Sequence, residues 1–248
     1  MSKSSSANRI LSIICSLLSL GMLLAGCGGG SGTSATLTNS PIVLSGTAAQ
    51  GAPFPMGSTI IVTDAAGGTY NFTITSNDGS FSINLPDTAK APLVLTVSND
   101  DLGLLPMVSA VAELKSSTVN ITPATNVIAA LLAGGDPSTL AASIQTEPTL
   151  ASLTRINAQK AIFTTLAVNM GVVSGVDPVN GRFAADGTGH DKDLDVVIAN
   201  IKVVADANGG GKIILQPPVQ ASSDAAALAS GSAGTTAPKE ISIVKGST

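Results

Sequence analysis

Thr75-Ser76-Asn77-Asp78-Gly79-Ser80-Phe81-Ser82-Ile83 reads as a turn that feeds a strand. Asn, Asp and Gly tolerate a positive φ at low cost, so residues 77–79 end one strand and open the next. Beyond them Phe81, Ile83 and Leu85 alternate with Ser80, Ser82 and Asn84. Successive strand side chains point to opposite faces, so three large apolar groups share one face and three small polar groups share the other. Such a strand is half buried, as in an antiparallel sheet with one wet side.

The pattern continues on both sides. Upstream, Tyr70-Asn71-Phe72-Thr73-Ile74 alternates in the same way, and Ala66-Gly67-Gly68 is a tight turn before it. Residues 58–63 carry Ile60, Ile61 and Val62, β-branched side chains that suit a pleated surface. Ile42-Val43-Leu44-Ser45-Gly46-Thr47 opens the series. Downstream, Leu93-Val94-Leu95-Thr96-Val97 is nearly continuous apolar sequence, as expected of a central strand, and 108–114 and 117–121 supply two more. About seven short strands with regular turn signals between residues 41 and 121 predict a β-sandwich.

Residues 44–47 (Leu-Ser-Gly-Thr), 60–64 (Ile-Ile-Val-Thr-Asp) and the 75–83 hairpin together resemble a carboxypeptidase-regulatory-like or transthyretin-like domain. Gly51-Ala52-Pro53-Phe54-Pro55-Met56-Gly57-Ser58 keeps that family's glycine-proline stretch loosely. The resemblance covers about a quarter of the chain and implies an accessory module rather than a catalytic one.

At Val119-Asn120-Ile121-Thr122-Pro123 the apolar period changes from two to about 3.6. Thr122 suits a helix N-cap and Pro123 the first helical position. Val127, Ile128, Leu131 and Leu132 form one face, ended by Gly134-Gly135, and Asp136 caps a second short helix reaching about residue 145. A third helix is expected over 149–170, with Ile156, Phe163, Ala167 and Met170 on one stripe. Leu153, Ile162 and Leu166 widen it, which predicts packing on two sides. A fourth helix carries Leu194, Val197, Ile198 and Ile201. After it, 202–206 and 212–215 flank Asn208-Gly209-Gly210-Gly211 as a hairpin. Beyond Pro217-Pro218 the composition falls to Ala, Ser, Gly and Thr, a disordered tail by composition in which 241–244 could dock as a lone strand. The predicted class is α+β: an N-terminal β-sandwich over 41–121, a mostly helical domain with a β-hairpin over 122–217, and a low-complexity tail over 218–248.

The first 40 residues read differently. Lys3 and Arg9 precede an uncharged apolar run, 10–25, that ends in Leu24-Ala25-Gly26-Cys27. A basic start, an apolar stretch and small residues before a cut describe a secretory signal. The run falls short of the roughly 20 apolar residues that cross a bilayer. Leu-Ala-Gly-Cys in this place resembles the lipobox of bacterial lipoproteins. That resemblance implies removal of residues 1–26, a diacylglycerol on Cys27 and a membrane partner through the lipid. It also implies residence in the bacterial cell envelope. Gly28 stands where an inner-membrane retention signal would place Asp, which favours the outer membrane in a cell that has one. Cys15, preceded by Ile13 and Ile14, leaves with the signal, so the mature chain has neither free thiol nor disulfide. Residues 27–40, mostly Gly, Ser, Thr and Ala, form a flexible tether.

Composition narrows the function. Lys and Arg number 12 against 16 Asp and Glu, a net charge of −4, which gives no electrostatic footprint for nucleic acid. With no Trp and one Tyr, the chain has few of the aromatic anchors on which protein hot spots and sugar platforms depend. No Gly-x-Ser-x-Gly, His-Glu-x-x-His, phosphate-loop or dinucleotide fingerprint occurs, and His190 is the sole histidine, so no catalytic residue is assigned. The reading is a non-catalytic structural or interaction module whose partner is another envelope protein or an extracellular macromolecule.

One stretch competes with it. Asp177, Asp186, Asp191, Asp193 and Asp195 cluster near His190. Oxygen-rich groups suit Ca2+, and Asp186, Asp191 and Asp195 are the candidate ligands. The spacing departs from the calcium-loop rule, with Val196 in place of the glycine and Lys202 in place of the bidentate Glu. Helix capping explains the same residues, because carboxylates in a first turn face a positive helix end. Residues 186–191 (Asp-Gly-Thr-Gly-His-Asp), after 119–123, also resemble a motif of uncharacterised bacterial lipoproteins, a resemblance with no activity attached.

Overall fold

The computed structural model describes residues 41–169, 177–186, 201–205, 211–215 and 239–243, all within one compact unit that begins at Asn39. The fold is α+β. Strands β1 (Ile42–Thr47), β2 (Thr59–Asp64), β3 (Thr69–Thr73), β4 (Ser80–Leu85), β5 (Leu93–Asn99), β6 (Leu104–Val111) and β7 (Ser117–Thr118) come first. Helices α1 (Pro123–Ala133), α2 (Leu140–Thr146) and α3 (Leu153–Asn169) follow, then β8 (Ile201–Ala205), β9 (Gly211–Leu215) and β10 (Lys239–Ile243).

The strands form three sheets, ordered β4-β1-β7, β3-β2-β5-β6 and β10-β9-β8. The apolar β5 lies between β2 and β6, and the alternating β4 buries Phe81, Ile83 and Leu85 while Ser80, Ser82 and Asn84 face out. Leu44, Ile83 and Leu85 from the first sheet share one core with Ile60, Val62, Leu95 and Val97 from the second. Each such side chain contributes about 1.5–3 kcal/mol by leaving water. The turns are built as the composition requires. Gly79 sits at φ 73° in the β3–β4 turn, where Asp78 accepts from Ser76 Oγ at 2.6 Å and Ser80 N at 2.9 Å.

β1 and the segment leading to α1 run parallel and close. A Cβ on Gly46 would lie 1.8 Å from the carbonyl oxygen of Val119, so no other residue fits there without moving a strand. The pairing continues past β7 through a parallel bridge between Ala48 and Ile121. The chain then enters α1 at once, with no linker between sheet and helix. Thr122 Oγ1 accepts from Thr125 N at 3.4 Å and Thr125 Oγ1 from Thr122 N at 2.9 Å, a reciprocal cap. Gly134, left-handed at φ 74°, ends the helix.

α1 is buried on nearly every side, which its small residues Ala124, Ala129 and Ala130 permit. It packs against β6 through a second core that joins Val94, Val108 and Ala110 of the sheet to Val127, Ile128, Leu140, Ile144, Ile156 and Phe163. Ile213 of β9 enters the same core, and Gly211 approaches Gly135 so closely that a Cβ would meet its backbone at 2.8 Å. β6 forms one edge of its sheet. There the N–H of Val108 donates to Asn126 Oδ1 of α1 at 3.1 Å, and the register shifts between the Val97–Met107 and Asn99–Leu104 pairs.

Five details depart from what the sequence predicts. β6 begins at Leu104 rather than 108, because the register shift takes up Pro106 on an edge strand, where a proline is tolerated. The third helix is broken: a 3-10 turn, Pro148–Ala151, precedes α3, and Ser152 is extended between them. α3 presents a narrow face, with Ile156, Phe163 and Ala167 buried but Leu153 and Ile162 about half exposed. Only one side of it meets the core. Ile201 belongs to a strand paired with Leu215, not to a helix, and β10 adds to the expected hairpin as a third antiparallel strand.

Candidate functional site

The stretch singled out by its aspartates begins at Asp177, and residues 177–186 of it are described. Asp177 Oδ1 accepts from Val179 N at 2.9 Å and Asn180 N at 3.1 Å, while Oδ2 pairs with Lys160 Nζ of α3. The backbone closes the same turn through Gly181 N to Asp177 O at 2.8 Å. Burial raises the carboxyl pKa, but the Lys160 hydrogen bond, the Asn180 and Val179 amides and the Lys160 charge outweigh it, so the group titrates below its ordinary range. Both its oxygens are occupied by the fold, and its role is to fix a turn.

From this turn the chain lies against β1 and β7, and the sequence did not mark out the residues that hold it. Asn120 N donates to Val179 O at 2.8 Å and its Nδ2 to Gly181 O at 2.6 Å, while its Oδ1 accepts from Thr47 N at 3.3 Å. Thr47 Oγ1 donates to Phe183 O at 3.2 Å, and Asn180 Nδ2 to Thr118 O at 2.8 Å. Asn120 is buried, and the bond it accepts from Thr47 N is made away from water, where an unmade one costs most. The signal in the sequence was a polar Asn between Val119 and Ile121, at a point where alternation alone places it next to a core.

Two open clefts flank the docked segment. One of about 290 Å3 lies between the ends of β6 and α3 and is lined by Val111, Glu113, Leu153, Ile156 and Asn180. The other, of about 250 Å3, is lined by Gly46, Ser80, Phe81, Asn120, Arg182 and Phe183. Asp186, the one proposed ligand among the described residues, lines neither of them. Asp186 is exposed at the end of the described segment, whereas His190, Asp191, Asp193 and Asp195 lie outside the described residues, as does Cys27. Among the described residues no group of three His, Cys, Asp or Glu is brought together that could hold a metal ion. No single helix among them is long and apolar enough to cross a membrane.

A second polar centre escaped the sequence reading. Asp64, at the end of β2, is 2% exposed. Its Oδ1 accepts from Ala66 N at 2.9 Å and Gly68 N at 2.7 Å, and its Oδ2 from Tyr70 Oη at 3.1 Å and Lys90 N at 3.0 Å. Burial pushes the carboxyl up, and the Gly68, Lys90, Tyr70 and Ala66 donors together hold it below the ordinary value. An Asp four residues before a Gly in a hairpin was the available clue. The donor from Lys90 came from another loop and was invisible.

Compared with known proteins, the chain matches no family model, no curated protein and no solved structure.

Proposed function

We propose that the chain is a lipid-anchored, non-catalytic protein of the bacterial cell envelope that serves as a structural or interaction module. The observation that carries this reading is the run Leu24-Ala25-Gly26-Cys27 at the end of an uncharged apolar stretch behind Lys3 and Arg9. Cys27 carries the lipid, and residues 27–40 link it to the folded part. In this reading β1 to β7 form an accessory β-sandwich of the transthyretin-like kind. Its support is the core shared by Leu44, Ile83 and Leu85 with Ile60, Leu95 and Val97, which places side chains of two sheets against each other. The partner is another envelope protein or an extracellular macromolecule, and the outer membrane is the site in a two-membrane cell.

Metabolic labelling with palmitate tests the anchor. The chain made in a bacterium takes up label and the Cys27→Ala variant takes up none. Equal labelling of the two would overturn the reading.

A further inference from the structure

Asn99 ties together one pole of the four-stranded sheet. Its side-chain N–H donates to Ser58 Oγ at 3.0 Å and its Oδ1 accepts from Leu102 N at 3.1 Å. Ser58 is wholly buried, and both its N–H and its hydroxyl bond Pro55 O. The turn through Pro55, Met56 and Gly57 is thereby fixed beside the 3-10 turn Asp100–Leu102, and Leu104 pairs with Asn99 to set the start of β6.

The three most exposed large apolar side chains among the described residues all stand at this pole: Met56 at 59%, Leu102 at 62% and Leu105 at 65%. Single exposed apolar groups need no explanation, but three at one end of a sheet, two on hydrogen-bonded turns and one at the start of β6, make that end a candidate contact surface. Its backbone is already ordered, so a partner would bear little of the ordering cost. The pole also lies far from where the chain enters. β1 starts at Ile42 opposite Leu85, and its other end, Thr47, meets Ser80. Ala48 N then bonds Gly79 O, and Ile74 N bonds Ser58 O, at the Asn99 end.

Charge selects the occupant. Asp100 and Asp101 are exposed in the same 3-10 turn as Leu102, while Lys90 sits with Asp64 at the opposite pole. Two carboxylates oppose an anionic lipid surface. They also oppose a two-fold pairing of copies, which would set like charges against each other. They favour a chain that brings aliphatic side chains together with Lys or Arg. We propose that this pole, through Met56, Leu102 and Leu105 flanked by Asp100 and Asp101, docks a cationic amphipathic segment of another protein. The proposal deepens the interaction-module reading and rests on it for the direction in which the pole faces. Contact chemistry at the pole does not depend on the lipid.

The test uses the full chain, held on a sensor by a C-terminal affinity tag and titrated with a synthetic peptide of Leu and Lys. The expected result is saturable binding that weakens at least about tenfold in Leu102→Ser/Leu105→Ser and falls in Asp100→Lys/Asp101→Lys. Val204→Ser, at an exposed apolar residue of β8, leaves it unchanged. Thermal unfolding confirms that each variant folds, and Met56→Ser replaces any that does not. Binding equal in parent and variants overturns the proposal, as does equal binding of a Leu and Glu peptide. So does a patch-dependent preference for anionic vesicles or for a second copy. Because the tag replaces the lipid in this measurement, a lost palmitate label and a lost peptide signal report on separate claims.

Discussion

Asp64 shows what one side chain can organise. Its carboxylate collects four donors from a hairpin, a tyrosine and a distant loop, and closes the end of β2 away from water. Asp64→Ala leaves those donors unmatched and is expected to destabilise the chain by about 2–4 kcal/mol, read as a lower urea midpoint. The pH dependence has a definite sign. The folded-state pKa is lowered from 3.8, so the stabilisation is complete above the unfolded value and disappears as pH falls through the folded one. The gap between parent and variant should therefore narrow as pH falls below about 4. Glycines provide the contrasting case. Gly46→Ala forces a methyl into the Val119 carbonyl and is expected to cost more than about 4 kcal/mol, seen as loss of a cooperative melt. Gly57→Ala, at φ 95° with no atom within 4 Å, should cost only about 1–2 kcal/mol, the backbone penalty alone.

Elements were legible where local chemistry decides them. Phe81, Ile83 and Leu85 announced β4 by alternation, and Thr122-Pro123 with Gly134 marked both ends of α1, because caps act within a few residues. What periodicity could not supply was the number of neighbours. α3 carries enough apolar residues for two contact faces, yet Ile156, Phe163 and Ala167, with Leu166 partly buried beside them, meet the core while Leu153 and Ile162 are about half exposed. Phe163→Ala is accordingly expected to cost about 3–5 kcal/mol, while Ile162→Ala one position away stays within about 0.5 kcal/mol; paired denaturation curves decide between one face and two. β6, expected over 108–114, runs over 104–111, and Pro106 is accommodated there because the strand lies at a sheet edge beside a register shift.

For the whole molecule the governing contacts are those between distant segments. Asn120 binds Thr47 and Gly181 through its side chain and Val179 through its backbone N–H, so a single residue joins the first strand, the entry to α1 and the segment at 177–183. Asn120→Ala is expected to release that segment, costing about 2 kcal/mol and opening a protease-sensitive site near residue 182. Sequence reading could find the acidic run from Asp177 onward because like residues cluster in it. It could not tell that Asp177 is fully engaged with Lys160 and two amides, since those partners are set by tertiary packing. The edge of β6 carries a different consequence. A strand from another molecule can add to a sheet only through free N–H and C=O groups along the rim. Here the Val108 N–H is occupied by Asn126, and Pro106 has no N–H to offer. A chain crowded beside its own copies is thus denied one route by which sheets join into fibrils.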